Sequence, residues 1–427
     1  MCIRDRFKDV NVPSKAFGEL VEAERHTPSL AAEELQALLD QQADLVVLDA
    51  RRFDEYQTMS IPGSTSVPGA ELVLRVRDLA PDPRTRVVVN CAGRTRSIIG
   101  TQSLVNAGIP NPVAALRNGT IGWTLAGQKL EHGQSRRFKA INEAQRAPAQ
   151  DAARAVADRA DVARIDLAQW RRWQADPKRT SYLFDVRTPE EFAAGHLPGA
   201  RSTPGGQLVQ ETDHFASVRG ARLVLVDDDG VRANMSASWL AQMGWQVAVL
   251  DGLRDSDFSV RGPWQAPLPD TSPAEEISPR TLATWLQEPG TLVLDFTASA
   301  NYVQRHIPGA WWALPSQLQE ALAQLPQAER YVLTCGSSLL ARFVVPQLQA
   351  LTQRPVFLLS GGTAAWIEAG LPVEESRQQL ASPRIDRYRR PYEGTDNPKE
   401  AMQGYLDWEF GLVAQLGRDG THGFFVI

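Results

Sequence analysis

Short runs of β-branched and apolar residues recur along the chain, separated by polar stretches with helical periodicity. Three of these runs end in aspartate: residues 45–49 (Leu-Val-Val-Leu-Asp), 182–185 (Tyr-Leu-Phe-Asp) and 292–295 (Leu-Val-Leu-Asp). Each is followed by an aromatic residue (Tyr56, Phe192 or Tyr302) and then by Pro-Gly at 62–63, 198–199 and 308–309. The aspartate and the proline are 13 residues apart in all three. Chance does not easily repeat such a spacing, and a fixed internal spacing marks a repeated structural unit.

Each unit continues with a second, more apolar run at 86–90, 222–226 and 331–334, then a helical pattern, then a third run at 113–116, 247–250 and 356–359. A glycine turn closes the third run at Gly119, Gly252 and Gly362. Apolar runs alternating with helical segments predict a parallel sheet covered on both faces. The expected fold class is therefore α/β, with three tandem domains at 29–133, 162–265 and 275–375. Residues 134–161, rich in Ala, Arg and Gln and without glycine, predict a helical linker, and the prolines of 264–279 predict an extended one. Residues 376–427 form a tail. In it Asn397-Pro398 marks a helix start, and Tyr405, Trp408, Leu412 and Leu416 come after it at helical spacing, which predicts a docked terminal helix.

At 427 residues the chain is too long for one core and fits two to four domains of roughly 100–200 residues each. A formal net charge of -5 and the lack of a dense basic run argue against a nucleic-acid partner. No apolar stretch approaches the ~18 residues of a membrane span, and the first residues lack the apolar core of a secretory signal. The cysteines are Cys2, Cys91 and Cys335. So sparse and odd a set argues for a reducing, cytoplasmic setting over a disulfide framework. The six histidines are scattered without metal-ligand spacing, so neither a metal nor a cofactor is expected.

The loop after the second strand separates the three units. In the first it is Cys91-Ala92-Gly93-Arg94-Thr95-Arg96-Ser97. A strand–loop–helix junction turns several backbone N–H groups toward one point at a helix N-terminus, which favours an anion and lowers a thiol pKa. With Arg94 and Arg96 adding positive charge, the Cys91 thiol is expected below its ordinary ~8.5. The loop is a seat for a nucleophilic sulfur facing an anionic substrate. A buried cysteine packed as a small hydrophobe does not explain a glycine, two arginines and a serine within six residues.

These residues resemble rhodanese domains: Asp49-Ala50-Arg51 after the first strand, Tyr56, Ile61-Pro62-Gly63, then Cys91 with Arg96 and Ser97, then Gly119 and Trp123. The resemblance implies a mainly parallel five-stranded sheet flanked by helices in each unit. It also implies transfer of a sulfane sulfur from thiosulfate or a similar anion to a thiol or cyanide acceptor through a Cys91 persulfide. Cys91 and Arg96 are the expected catalytic residues, with Ala92, Gly93, Arg94, Thr95 and Ser97 binding substrate and Arg94 steering the donor. Phosphatases and arsenate reductases use a similar cradle that is one residue longer, which sets them aside. A non-catalytic scaffold or sulfur-carrier protein is the alternative reading.

The second unit carries Asp185-Val-Arg187 and Leu197-Pro198-Gly199, but its loop reads Asp227-Asp228-Asp229-Gly230-Val231-Arg232. Asp227 stands where the nucleophile belongs, 42 residues after Asp185 as Cys91 is after Asp49. A carboxylate cannot accept a sulfane sulfur, so this unit is expected to be inactive. The third unit opens its loop with Cys335-Gly336-Ser337, similar to mercaptopyruvate sulfurtransferases, which makes Cys335 a candidate second nucleophile. Leu339 and Leu340 replace polar loop residues there, and Thr297 takes the place of the arginine. Residues 7–28 resemble the connector that comes after a rhodanese domain in longer, four-unit relatives. Residues 1–28 are accordingly expected to be the remnant of a truncated upstream domain.

Overall fold

The computed structural model describes residues 12–270, 273–386, 390–391 and 397–427. Cys2 and the first part of the expected connector, residues 1–11, lie outside the described residues, as do 387–389 and 392–396 of the tail. The chain forms two compact units: residues 1–265 with 390–427, and residues 266–389.

The first unit contains two five-stranded sheets. One is built from β1 (Ser29–Leu30), β2 (Leu45–Asp49), β3 (Thr65–Ser66), β4 (Arg86–Asn90) and β5 (Val113–Leu116) in the order β1-β5-β4-β2-β3. The other consists of β6 (Ala163–Ile165), β7 (Ser181–Asp185), β8 (Arg201–Ser202), β9 (Arg222–Val226) and β10 (Gln246–Leu250) in the order β6-β10-β9-β7-β8. The second compact unit repeats this with β11 (Glu275–Ile277), β12 (Thr291–Asp295), β13 (Trp311–Trp312), β14 (Arg330–Thr334) and β15 (Val356–Leu359) in the order β11-β15-β14-β12-β13. All strand pairs are parallel. The expected fold class is the observed one.

The near-continuous apolar runs reflect burial on both faces. In β4, Val87 and Val89 enter one core while Val88 enters another, with Leu35 and Trp123. In β12, Leu292 and Leu294 face one core and Val293 the other. The edge strands β1, β3, β8 and β13 are two residues long, too short to leave a period-2 signal in sequence.

Within the first compact unit the two sheet domains share cores. Phe17, Ile98, Phe184, Leu225 and Trp239 form one cluster, and Leu48, Leu72, Val89, Val156 and Met235 form another. The Trp239 indole donates to Ser103 Oγ at 2.8 Å. The helix Glu143–Arg159 buries Ala149, Ala153 and Val156 completely. The helix Val12–Arg25 seats Phe17, fully buried and worth about 2–3 kcal/mol of apolar burial. The tail supplies the helix Lys399–Phe410, whose Met402, Tyr405 and Leu406 pack on Ile121. No helix among the described residues is long and apolar enough to cross a membrane.

Candidate active site

The loop 91–97 leaves the end of β4 and enters the helix Thr95–Asn106. Its base is fixed by the turn after β5. The amides of Thr120 and Ile121 donate to the carbonyls of Cys91 at 2.9 Å and Ala92 at 3.0 Å. Gly119 has φ +53°, and a Cβ there would lie 2.2 Å from the Cys91 carbonyl oxygen, so this turn admits only glycine.

Cys91 is 2% exposed. Its Sγ lies 3.4 Å from Ser97 Oγ, which itself donates to the Arg94 carbonyl at 2.8 Å. The amides of Gly93 and Ser97 also point at the sulfur. Arg96 is held by Glu55 through two hydrogen bonds of 2.7 and 2.9 Å. Burial alone would raise Glu55, but the Arg96 guanidinium beside it holds the carboxyl down at about 2.

Two expectations are corrected here. Burial pushes the Cys91 thiol up, and this outweighs the Arg96 charge and the hydrogen bonds from Ser97 and the Gly93 amide. The resting thiol is therefore not set below its ordinary value, although the charge of the loop alone implies that it should be. Arg94, expected to steer the donor, is committed elsewhere. It is buried, makes a forked ion pair with Glu19 at 2.7 and 2.8 Å, pairs with Glu22, and stacks on Phe410 with its guanidinium carbon 4.3 Å from the ring centroid. It ties the loop to the helix Val12–Arg25 and to the tail. Thr95 is buried beneath Gly18 of the same helix. Ala92 is buried as well, and its carbonyl accepts from Thr120 Oγ1 at 3.2 Å.

Sequence reasoning missed the residues that lie over the loop. Lys15 Nζ donates to Tyr405 Oη at 2.5 Å, and Tyr405 Oη donates to Glu409 Oε1 at 2.5 Å. A Cβ added at Gly93 would lie 3.3 Å from Tyr405 Cε1 and 3.4 Å from Glu409 Oε2. Gly93 does not have a positive φ; it is small because the tail helix passes close above it. Buried, aromatic-flanked Lys15 and Glu409 leave no short motif, so nothing in the sequence marks them. Burial pushes the Glu409 carboxyl up to about 7, against the pull of Lys15 and Tyr405. A carboxyl raised in the folded state stabilises docking fully below about 4.5 and loses that stabilisation as pH rises through about 7. The swing is on the order of 3 kcal/mol. Amide exchange in 399–410 is thus expected to speed up relative to the β4 core between pH ~5 and ~7. Glu409→Gln should flatten that dependence, and an unchanged profile would disprove it.

In the second unit Asp227 occupies its own cradle. Its carboxylate accepts from the amides of Gly230 at 3.1 Å and Ala233 at 2.8 Å. Burial, then the neighbouring Asp229, pushes it well up. Arg232 is paired with Asp229, Glu71, Glu191 and Asp228. No group of three or more His, Cys, Asp or Glu side chains arranged for a metal occurs among the described residues.

In the third unit Cys335 is 6% exposed and packs in the core with Phe296, Leu333 and Ala341. The residues matching Arg96 and Ser97 are Leu340 and Ala341, so neither the charge nor the hydroxyl beside Cys91 is repeated. Leu339 and Leu340 are 39% and 46% exposed.

Comparison with known proteins agrees with this geometry. The chain is 79% identical to a thiosulfate sulfurtransferase from Pseudomonas aeruginosa of known crystal structure, over 99% of this chain and 80% of that one, with a TM-score of 0.94. It is 33% identical over 103 residues to an uncharacterized protein from Synechocystis, covering 24% of this chain and 56% of that relative's length. The family model described as "Rhodanese-like domain" matches residues 31–126, 166–252 and 278–369. With three sheets of one topology and a matching segment in each, the chain belongs to the rhodanese-like domain family.

Proposed function

We propose that the protein is a thiosulfate sulfurtransferase and that Cys91 is its sulfur carrier. The observation that carries this reading is the Cys91 loop itself. A sulfur faces the Gly93 and Ser97 amides and donates to the Ser97 hydroxyl oxygen, with Arg96 held close by Glu55. The 79% identity to a thiosulfate sulfurtransferase supports it.

The Cys91 thiol gives its proton to solvent as the donor enters, and the resulting thiolate attacks the outer sulfur of thiosulfate. The new S–S bond forms as the old one breaks, and sulfite leaves with the electron pair. A thiolate or cyanide then attacks the outer sulfur of the Cys91 persulfide. That S–S bond breaks, and the Cys91 thiolate is regenerated. The loop amides and Arg96 are aligned before charge arrives, so they cost little reorganisation. Cys91 is 2% exposed, so the loop rim has to open to admit the donor. These two displacements balance without a metal or cofactor. The cytoplasmic setting belongs to this reading, and the buried free thiols Cys91 and Cys335 support it.

Mass spectrometry tests the reading directly. Incubation with thiosulfate should add one sulfur atom to Cys91, and cyanide should release it as thiocyanate. Modification elsewhere, or none, would overturn it.

The second unit is structural on this reading, because a carboxylate fills the cradle. In a Cys91→Ser background, Asp227→Cys alone should leave thiosulfate turnover near background. Asp228 and Asp229 would sit beside the new thiol and disfavour its ionisation. Gly252, unlike Gly119, starts no helix that braces the loop. The triple change to Cys-Ala-Gly should recover part of the activity. Efficient turnover by the single variant would show that the acidic turn is no obstacle.

A further inference from the structure

The strand leading toward each loop position ends in a buried aspartate: Asp49, Asp185 and Asp295, all 0% exposed. Two of them are neutralised by the arginine two residues on. Arg51 meets Asp49 at 2.9 and 2.8 Å and also donates to the Met59 carbonyl at 2.5 Å. Arg187 meets Asp185 at 2.9 and 2.7 Å and donates to the Gly195 carbonyl at 2.6 Å. In the third domain that arginine is Thr297. Asp295 Oδ1 accepts from the Thr297 amide at 2.8 Å, while Oδ2 finds no donor among the described residues.

The loss is not isolated. Asn301 stands where Glu55 and Glu191 stand, and Leu340 stands where Arg96 and Arg232 stand. A forked ion-pair system present in both other domains has been removed together. Beside these positions is a cavity of about 570 Å³, lined by Asp295, Thr297, Asn301, Arg305, Gly336 and Thr363 among others. Arg305 is at the register of Met59 and Gly195, ten residues after the aspartate. Burial pushes the Asp295 carboxyl up to about 6, so it remains largely ionised at neutral pH.

We propose that this cavity binds a small molecule bearing a guanidinium group, which takes the place of the missing arginine against Asp295 Oδ2 and the Arg305 carbonyl. A buried carboxylate oxygen without a donor is costly. A planar fork satisfies a carboxylate in two places where an ammonium supplies a point charge. The cavity volume is in the range of small-ligand sites, roughly 300–1,000 Å³.

The test is a calorimetric titration of the full-length protein with methylguanidinium at about pH 8, where Asp295 is ionised. Methylammonium at equal ionic strength is the comparison. Saturable one-to-one binding of methylguanidinium, tighter than methylammonium, is expected. Thr297→Arg supplies the chain's own guanidinium and should weaken binding at least about tenfold; Asp295→Asn should do the same. Thr297→Arg is the decisive variant if Asp295→Asn fails to fold, because the other two domains already accommodate that pair. Arg305→Ala should keep the affinity, since the acceptor is the main-chain carbonyl. The absence of saturable binding, equal binding of methylammonium, or full affinity in Thr297→Arg would each overturn the proposal.

Discussion

Replacing Cys91 with serine is expected to lower thiocyanate formation from thiosulfate and cyanide by about a thousandfold or more. Covalent catalysis loses its carrier atom, and a serine alkoxide is neither available at neutral pH nor able to hold a sulfane sulfur in a cleavable S–S bond. The fold should be unaffected, because the substitution is nearly isosteric and the neighbouring Ser97 hydroxyl can hydrogen-bond to the new oxygen. Cys335→Ser is expected to leave the rate within about twofold, because Cys335 sits in an apolar core without the Arg96 and Ser97 equivalents. Steady-state assays of the two variants decide both points. Substantial turnover in Cys91→Ser, or its loss in Cys335→Ser, would move the sulfur carrier to the third domain.

Gly119→Ala is expected to destabilise the first domain by about 2–4 kcal/mol and to impair sulfur transfer with it. Two costs combine. The residue has φ +53°, where a Cβ is strained, and the new carbon would lie 2.2 Å from the Cys91 carbonyl oxygen and 2.8 Å from that of Gly93. Relief requires the turn to move, which breaks the Thr120 and Ile121 amide bonds that brace the loop. Gly127→Ala is the control. It has φ +78° but nothing within 4 Å of its Cβ position, so it carries only the backbone cost of about 1 kcal/mol. Thermal unfolding with an activity assay on each variant measures the difference. Equal effects at the two positions would mean that contact with the Cys91 carbonyl does not constrain the loop.

Much of the site was legible because it is local. Cys91, Arg96 and Ser97 lie within seven residues, and a strand end running into a helix brings their amides and side chains together. The aspartate at the nucleophile position of the second loop was legible for the same reason, since Asp227 is in register with Cys91. Glu55 as the partner of Arg96 was not legible. The two are 41 residues apart, and only the parallel pairing of β2 with β4 places them side by side. The charge of Arg94 misled because its destination, Glu19, is 75 residues away on a helix outside the repeat.

The sequence by itself determined the three-fold repeat, the parallel sheets and the position of the candidate loop. Periodic burial and fixed turn residues are written into consecutive positions, so these features need no distant information. Tertiary structure alone decided the electrostatic state of the site. Desolvation depends on what covers a group, and the cover over Gly93, two residues from the sulfur, comes from a helix more than 300 residues further along the chain. A loop rich in positive charge therefore holds a thiol that burial pushes up, because one arginine is neutralised by Glu19 and Glu22, the other by Glu55, and water is excluded above the sulfur.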